Sequence, residues 1–443
     1  MPSVTVISLG CAKNLVDTEV MLGSLRKSGF EITNEQDSAD IILINTCSFL
    51  SASRKEAASE IKFALKNKKT GAKVVVAGCF VGRQGNELKK LFPEIDIFLP
   101  FSSIPDAGKI CLTALSKTGK IKIKSDDKTF IYNSKLPRVM ATLPHYAYVK
   151  IADGCDNSCS YCLIPSIRGS FRSRKKEDIV AEVKTLALLG VKEINLISQD
   201  TTGYGEDIYC KPALPGLLRE LSKINGVKWI RLLYLYPSRI TDELLDVMAS
   251  LPKIAPYFDI PLQHTESRIL KQMGRFYNKN DIAVLIKKIR SRVKNAVLRT
   301  TLITGFPGET KEEFQNMLEF IKEFKFDKLG VFEYSKEKGT RAYTLSGTVS
   351  NSEKTRRKNL LMKAQQKVSL QLNKSKIGSK IQVLTDTVVN KTATGRRAAD
   401  APDVDGRVYF YAGSGVKAGD LVAVKVKKAL PYDLIGEAVG YKA

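Results

Sequence analysis

DGCDNSCSYCLIPSIRGSFRSR, from Asp153 to Arg174, decides how the rest of the chain is read. Cys155, Cys159 and Cys162 fall in a C-x3-C-x2-C pattern inside one short loop. Three thiolates so close in sequence can ligate three irons of a cubane 4Fe-4S cluster, since such clusters are held by cysteine sulfur. A cubane asks for four ligands, so a three-cysteine loop leaves one iron open to a chelating molecule. The competing reading is a structural zinc loop, for which C-x2-C spacings are common. Zinc wants a fourth ligand, and His145 and His264 are the only histidines in the chain. The cluster is the better account of the spacing.

Outward from the loop, the chain alternates short β-rich runs with helical periodicity. Strands are expected at Tyr146–Ala152, Glu193–Ser198, Trp229–Tyr234, Tyr257–Leu262, Val297–Ile303 and Lys328–Tyr334. Helices between them include Lys175–Leu189, Asp242–Leu251 and Thr310–Phe324. Such alternation predicts a barrel or partial barrel of parallel strands, with its chemistry at the C-terminal strand ends. The cysteine loop follows the first strand directly, and polar residues end others: Gln199, Asp200 and Thr201; Gln263 and His264; Thr304, Gly305 and Gly308. Gly305-Phe-Pro-Gly308-Glu309 reads as a tight turn into a helix, where exposed N–H groups could hold a carboxylate or ribose. A plain turn, with Glu309 favoured by the helix dipole, accounts for it as well. Arg168, Arg172, Arg174, Lys175 and Lys176 form either a patch steering an anionic partner or a solvated helix start.

Before the loop, three runs end in Gly-Cys or Thr-Cys: SVTVISLGC at Cys11, ADIILINTC at Cys47 and AKVVVAGC at Cys79. Helices are expected after each, at Leu15–Lys27, Ser53–Lys66 and Asn86–Leu91. Strand–helix repeats predict a doubly wound parallel sheet, in which ligands gather at the carboxyl ends of the strands. All three cysteines sit at those ends, which favours a second three-cysteine cluster over three buried core cysteines. Cys111 and Cys210 match no ligand pattern. Lys117–Leu136 is polar and lysine-dotted, a linker or edge segment.

After the barrel, Ser352–Lys380 is a basic helix with an apolar face at Leu360, Leu361, Ala364, Val368 and Leu372. Short β runs then follow at Lys380–Thr385, Arg407–Tyr411, Leu421–Val426 and Leu434–Val439, the rhythm of a small OB-like β-barrel. Such a module binds RNA or serves as a spacer or protein-docking unit.

Composition fits this three-part globular reading. The 443 residues are 43% hydrophobic with 16 prolines, which argues against disorder. No run approaches the roughly 18 apolar residues needed to span a bilayer, and the start MPSVTVISLG is no signal peptide. Eight cysteines in a chain of this kind read as metal ligands rather than disulfides, which implies a cytoplasmic home. A net charge of +25 draws polyanions such as RNA or a ribosome, or reflects a solvated lysine-rich surface.

The cysteine loop resembles that of the radical S-adenosylmethionine (SAM) superfamily, in which SAM chelates the open iron and is split to a 5′-deoxyadenosyl radical. A triplet of this kind, placed behind a three-cysteine domain and before a β-barrel tail, is similar to the methylthiotransferase family. The resemblance covers nearly the whole chain. It implies an N-terminal cluster domain at 1–125, a radical SAM partial (βα)6 barrel at 140–370 and a TRAM domain at 373–443. The wording SLGCAKNLVDTE, INTCSF, SQDTTGYG, IPLQHTESRILKQMGR and DAPDVDG resembles the branch that modifies an aspartate of the small-subunit ribosomal protein at the decoding centre. The alternative is the branch acting on a tRNA adenosine, which typically has Gln-Met-Asn where Ala12-Lys13-Asn14 stands here. One departure is Gly82, where the family more often carries glutamine.

The implied reaction replaces a C–H bond with C–SCH3 at an unactivated β-carbon, where a carbon radical succeeds and general-base chemistry does not. The implied cofactors are two 4Fe-4S clusters, on Cys11, Cys47 and Cys79 and on Cys155, Cys159 and Cys162, with SAM both as methyl donor and as radical source. Tyr161, Gly305 and Glu309 are candidate SAM contacts, Tyr161 either lying against adenine or packing the loop. No side chain is assigned as catalytic acid or base. The implied partners are the ribosomal protein or ribosome, an electron donor, and rRNA or tRNA through the basic surface.

Overall fold

The computed structural model describes residues 1–116, 123 and 130–440. Most of the expected linker, Lys117–Leu136, therefore lies outside the described residues. The N-terminal part runs β1 (Ser3–Ser8), α1 (Ala12–Lys27), β2 (Glu31–Ile32), β3 (Ile41–Thr46), α2 (Ser51–Asn67), β4 (Lys73–Gly78), α3 (Cys79–Leu91), β5 (Ile97–Leu99) and α4 (Ala107–Ser116). Its sheet is parallel throughout, in the order β2-β1-β3-β4-β5. Every residue of β3 is buried, as a strand covered by helices on both faces requires. Ile41 and Leu43 pack with Val16 and Val20 of α1, whereas Ile42 and Ile44 pack with Ala57 and Ile61 of α2. This is the doubly wound sheet expected. Helix α3 starts at Cys79 and is kinked at Gln84, earlier than the expected Asn86. Gly82 and Gly85 weaken the helical signal there.

The central part runs β6 (Tyr146–Lys150), β7 (Ala152–Asp153), α5 (Ile164–Arg168), β8 (Arg172–Ser173), α6 (Lys176–Leu188), β9 (Glu193–Ile197), α7 (Glu206–Tyr209), α8 (Leu214–Ser222) and β10 (Trp229–Leu232). It continues with α9 (Asp242–Ser250), β11 (Ile254–Asp259), α10 (Ser267–Gln272), α11 (Lys279–Arg292), β12 (Val297–Thr304), α12 (Lys311–Phe324) and β13 (Lys328–Glu333). Six parallel strands in the order β13-β12-β11-β10-β9-β6 make an open barrel. Ala147, Val149, Ile194, Leu196, Ile230 and Leu232 join the helices in one large core. Tyr146, Tyr148 and Tyr257 alternate to the other face and join the core of the N-terminal domain instead. Helix α12 starts at a capping box, Thr310 with Glu313, which fixes the end of the Gly305–Glu309 turn.

Helix α13 (Asn351–Lys374) leads into β14 (Lys380–Val389), β15 (Thr392–Arg396), β16 (Val408–Tyr411), β17 (Leu421–Ala429) and β18 (Leu434–Ala438). These strands close into a barrel in the order β14-β15-β16-β18-β17. Strand β15, TATGR, was not legible in the sequence because it has almost no apolar content. Gly395 within it lies so close to β14 that a Cβ would stand 2.4 Å from the Leu384 carbonyl oxygen. The basic helix also departs from the expected pattern. Leu360 is exposed, whereas Lys354 and Arg357 are buried because they reach partners on the barrel.

The small barrel is latched to the large one rather than tethered as a spacer. Asp403 accepts hydrogen bonds from the Tyr146 hydroxyl (3.2 Å) and the Tyr148 hydroxyl (2.9 Å), and Asp405 accepts one from Tyr257 (2.6 Å). Asp400 pairs with Lys328 at 2.8 Å, and His145 with Asp386 at 2.8 Å. Arg396 and Arg231 both pair with Glu193, which is fully buried. The DAPDVDG stretch is thus an acidic tongue laid against the start of the barrel strands. Among the described residues no helix is long and apolar enough to cross a membrane.

Candidate active site

The Cys155–Cys162 loop is held by backbone geometry on both sides. Gly154 has φ +81, and a Cβ there would come 2.0 Å from the Ser170 carbonyl oxygen. The Cys155 N–H donates to Gly169 O at 3.2 Å, and the Cys162 N–H to Cys159 O at 3.2 Å. Ser160 anchors the tip, its N–H and hydroxyl donating to Met273 O and Gln272 O at 2.8 Å each. Burial pushes the Cys155 thiol up to about 11 and Cys162 to about 12, with repulsion among the triplet's thiolates adding to both. Metal ligation requires the thiolate form, so loading a cluster on these thiols would release their protons. Asp200, at the end of β9, also lies within electrostatic reach of Cys155. Its carboxylate accepts from Asn157 (2.8 Å), Thr202 (2.6 Å) and Arg239.

Cys11, Cys47 and Cys79 follow the ends of β1, β3 and β4 and converge. A Cβ added to Gly10 would stand 2.8 Å from Cys47 Cβ and 3.3 Å from its sulfur. Gly78, φ +91, meets Asn45 and Thr46 the same way at 2.3 and 2.4 Å. The two glycines let the three strand ends draw together. Burial raises the Cys79 thiol to about 11, and the Cys11 and Cys47 thiols act on it in the same direction. All eight cysteines are free. Among the described residues no group of three or more His, Cys, Asp or Glu is arranged to hold a metal ion. A cubane spreads its thiolate ligands over separate irons, and two converging sets of soft thiols at strand ends fit that donor pattern.

The N-terminal trio faces the barrel mouth. The Lys13 ammonium, beside Cys11, stands over the Tyr234 ring at the end of β10, 3.1 Å from its centroid. Tyr234 also feels the Cys11 thiol. Glu337, in the loop after β13, accepts from the Ser51 N–H (2.8 Å), Arg54 (2.7 Å) and Arg83 (3.1 Å). Arg83 in turn donates to Ser48 O at 2.7 Å, one residue beyond Cys47. Between the two cysteine sets lies a buried lattice of charges. Lys150 pairs with Asp17 (2.6 Å) and Asp153 (3.0 Å), and Arg168 pairs with the same carboxylates at 2.8 and 3.3 Å. These two cations hold Asp153 well below the usual carboxylate range against its burial.

The remaining candidates find definite places. The Tyr161 hydroxyl accepts from Arg275 Nη2 at 2.9 Å, and its ring packs against the cluster of Ile269, Met273, Phe306 and Tyr334. Glu309 is buried, accepting from the N–H groups of Gly305 (2.5 Å) and Phe306 (3.2 Å) and from Arg357 (2.6 Å). Burial nonetheless raises its carboxyl. His264 Nδ1 accepts from the Glu266 N–H at 3.0 Å, which leaves the proton on Nε2. That buried Nε2 has no hydrogen-bond partner and stands 3.9 Å from Glu309 Oε2.

Arg168 and Arg174 are not a steering patch. Both are buried, Arg174 pairing with Asp178 and Glu182 at 2.5 and 2.6 Å. Asn14, Asp17, Lys150 and Glu337 were missed in the sequence. The available signal for Lys150 was a lone charge inside the otherwise apolar run YAYVKIA. Cys111 lies in the core of α4, its thiol pushed to about 12 by burial alone, and Cys210 is exposed.

An open six-strand barrel with C-x3-C-x2-C at its mouth defines a radical SAM protein. Residues 149–321 match the radical SAM superfamily profile, residues 3–100 the profile described as uncharacterized protein family UPF0004, and residues 377–439 the TRAM domain. Among curated proteins, the chain is 45% identical over 439 residues to the ribosomal protein uS12 methylthiotransferase RimO of Pelotomaculum thermopropionicum, covering 98% of each. It is 43% identical over 442 residues to that of Clostridioides difficile, covering 99% of each, and 42% over 441 residues to that of Geobacter sulfurreducens, covering 98% of each. The chain belongs to the RimO family of ribosomal protein uS12 methylthiotransferases. Solved structures share the fold alone. The radical SAM methyltransferase TsrM from Kitasatospora setae aligns with TM-score 0.55 at 15% identity, over 89% of this chain and 81% of that one. The cobalamin-dependent radical enzyme OxsB aligns with TM-score 0.50 at 13% identity, over 82% and 56%.

Proposed function

We propose that the chain attaches a methylthio group to the β-carbon of an aspartate of ribosomal protein uS12, with SAM as both methyl donor and radical source. The observation that carries this reading is the apposition of the two cysteine sets. Each lies at the carboxyl ends of its own parallel strands, and the two sheets meet through Lys13–Tyr234, Glu337–Arg83 and the Lys150–Arg168 lattice. Loaded clusters with SAM would supply a hydrogen-abstracting carbon radical and a methylated sulfur. The chain's own residues set the two sites against each other through these buried ion pairs and the Lys13–Tyr234 contact.

Cys155, Cys159 and Cys162 would hold the radical-generating cluster, and Cys11, Cys47 and Cys79 the sulfur-bearing one. Tyr161 and the Gly305–Glu309 turn are the proposed SAM side of the mouth. Glu309 acts there by holding the turn, since its carboxylate is taken up by Gly305, Phe306 and Arg357. No acid or base is needed for a hydrogen-atom abstraction. The curated relatives named above carry the ribosomal-protein substrate in their names, which favours uS12 over a tRNA adenosine. Contact with rRNA through the TRAM barrel and α13, an electron donor, and a cytoplasmic setting complete the proposal.

Mass spectrometry of uS12 from cells with and without the gene tests it. A gain of about one SCH2 unit on the aspartate, present only with the gene, is expected from replacing hydrogen by a methylthio group. The same unmodified uS12 in both strains, with a changed tRNA adenosine, would transfer the assignment to tRNA.

A further inference from the structure

Arg168 belongs to the radical SAM domain, yet its side chain ends inside the other domain. It sits at the end of α5, one residue before Gly169, whose carbonyl accepts the Cys155 N–H. Its Nη2 donates to the Cys79 sulfur at 3.4 Å and to Asn14 Oδ1 at 2.7 Å. Its Nη1 donates to Asp17 at 2.8 Å and Asp153 at 3.3 Å. The guanidinium lies 4.1 Å above the Phe101 ring centroid and is 4% exposed. Gly82 makes room for this stack. A Cβ there would stand 2.9 Å from the Phe101 ring and 3.5 Å from the Ile167 carbonyl oxygen. The departure at Gly82 noted in the sequence is therefore part of the same packing unit.

We propose that Arg168 sets the reduction potential of the cluster on Cys11, Cys47 and Cys79, acting across the domain boundary as a positioning residue through its hydrogen bond to the Cys79 sulfur. This rests on the reading that those cysteines hold a cluster. Hydrogen bonds to ligand sulfur, local charge and burial are the protein's means of tuning such potentials. Reduction adds one negative charge to the cage, and a buried N–H donor on a cation stabilises the added charge. Asp17 and Asp153 offset the formal charges of Arg168 and Lys150 on the far side, so the effect is short in range. It is carried by the N–H···S contact and vanishes with it.

The test uses the full chain carrying Cys155→Ala, Cys159→Ala and Cys162→Ala, reconstituted anaerobically, so that only the N-terminal cluster is present. In a dithionite titration followed by electron paramagnetic resonance, the sulfur dioxide radical anion released by dithionite gives one electron to the cage and is oxidised to sulfite, and no bond of the cage forms or breaks. Arg168→Gln should shift the reduction equilibrium at least about tenfold toward the oxidised cluster, 59 mV lower for a one-electron couple. Arg168→Lys, which keeps an N–H donor able to reach the Cys79 sulfur, should recover part of the shift. In the complementary chain with Cys11, Cys47 and Cys79 changed to Ala, Arg168→Gln should leave the other cluster's potential in place. An unmoved potential in the first chain, equal loss in Gln and Lys variants, or equal shifts of both clusters would overturn the proposal. Absence of iron from the first chain before any change at Arg168 would instead overturn the ligand reading beneath it.

Discussion

Replacing Glu337 by alanine should uncouple the two halves of the site without touching a cysteine. Glu337 is 2% exposed and bridges Arg83, itself 8% exposed, to Arg54, 22% exposed, while also accepting the Ser51 N–H. Removing one partner of a buried ion pair costs about 3–5 kcal/mol. The partial exposure of Arg54 and its access to water place this site at the lower end, about 3 kcal/mol. At 1.4 kcal/mol per decade, local opening of the α2 and α3 starts becomes about a hundredfold more populated. Two readouts follow. Amide hydrogen exchange over Ser51–Arg54 should accelerate by about two decades. In a reaction with SAM, dithionite and uS12, the yield of methylthiolated protein per 5′-deoxyadenosine should fall, because Cys79 begins α3 and Cys47 lies in the short loop leading into α2. Glu337→Gln keeps an acceptor for Ser51 and should fall between. The Arg138–Glu19 pair at 2.5 Å and the Lys150–Arg168 lattice remain, so the domain stays folded. Unchanged exchange together with an unchanged yield ratio would refute the assignment of Glu337 as the latch.

Two further outcomes bear on the cofactor and on the barrel mouth. Anaerobic reconstitution should load close to eight irons per chain, at four for each cubane, and alanine at either cysteine triplet should halve that number; iron and sulfide analysis measures it. Burial depresses His264 from the usual 6.5 to about 3. Its neutral form is therefore favoured in the folded state: that contribution to stability is fully present above pH 6.5 and is lost as pH falls from 6.5 towards 3. Across that interval His264→Phe should remove up to about 1.4 kcal/mol per pH unit from the slope of stability against pH, read by urea unfolding of wild type and variant in parallel. Identical slopes would show that His264 is reached by protons in the folded protein.

The six barrel strands and the three N-terminal strand ends were legible because each is a local pattern. A run such as ADIILINTC carries its burial in its own composition, and the following turn carries its glycine or cysteine within a few residues. The grouping of cysteines at strand ends was legible for the same reason, since parallel strands all deliver their C-termini to one edge. Strand β15 was not, because TATGR contributes ladder hydrogen bonds and a close backbone approach rather than apolar side chains. Helix α3 was seen only at its end, behind Gly82 and Gly85.

What the amino-acid sequence determined by itself is therefore the order of strands and helices, the two cysteine triplets and the family wording around them. The destination of the charges was decided only in three dimensions. Arg168 looks like the start of a solvated patch, yet it is buried against Asp17, 151 residues away in the chain. Glu337 looks like an ordinary loop acid, yet it receives Arg54 across 283 residues. A hydrophobic residue is buried wherever its element packs, so periodicity reveals it. A charged residue is buried only if an opposite charge arrives at the same place, and that arrival depends on how whole domains are set against one another.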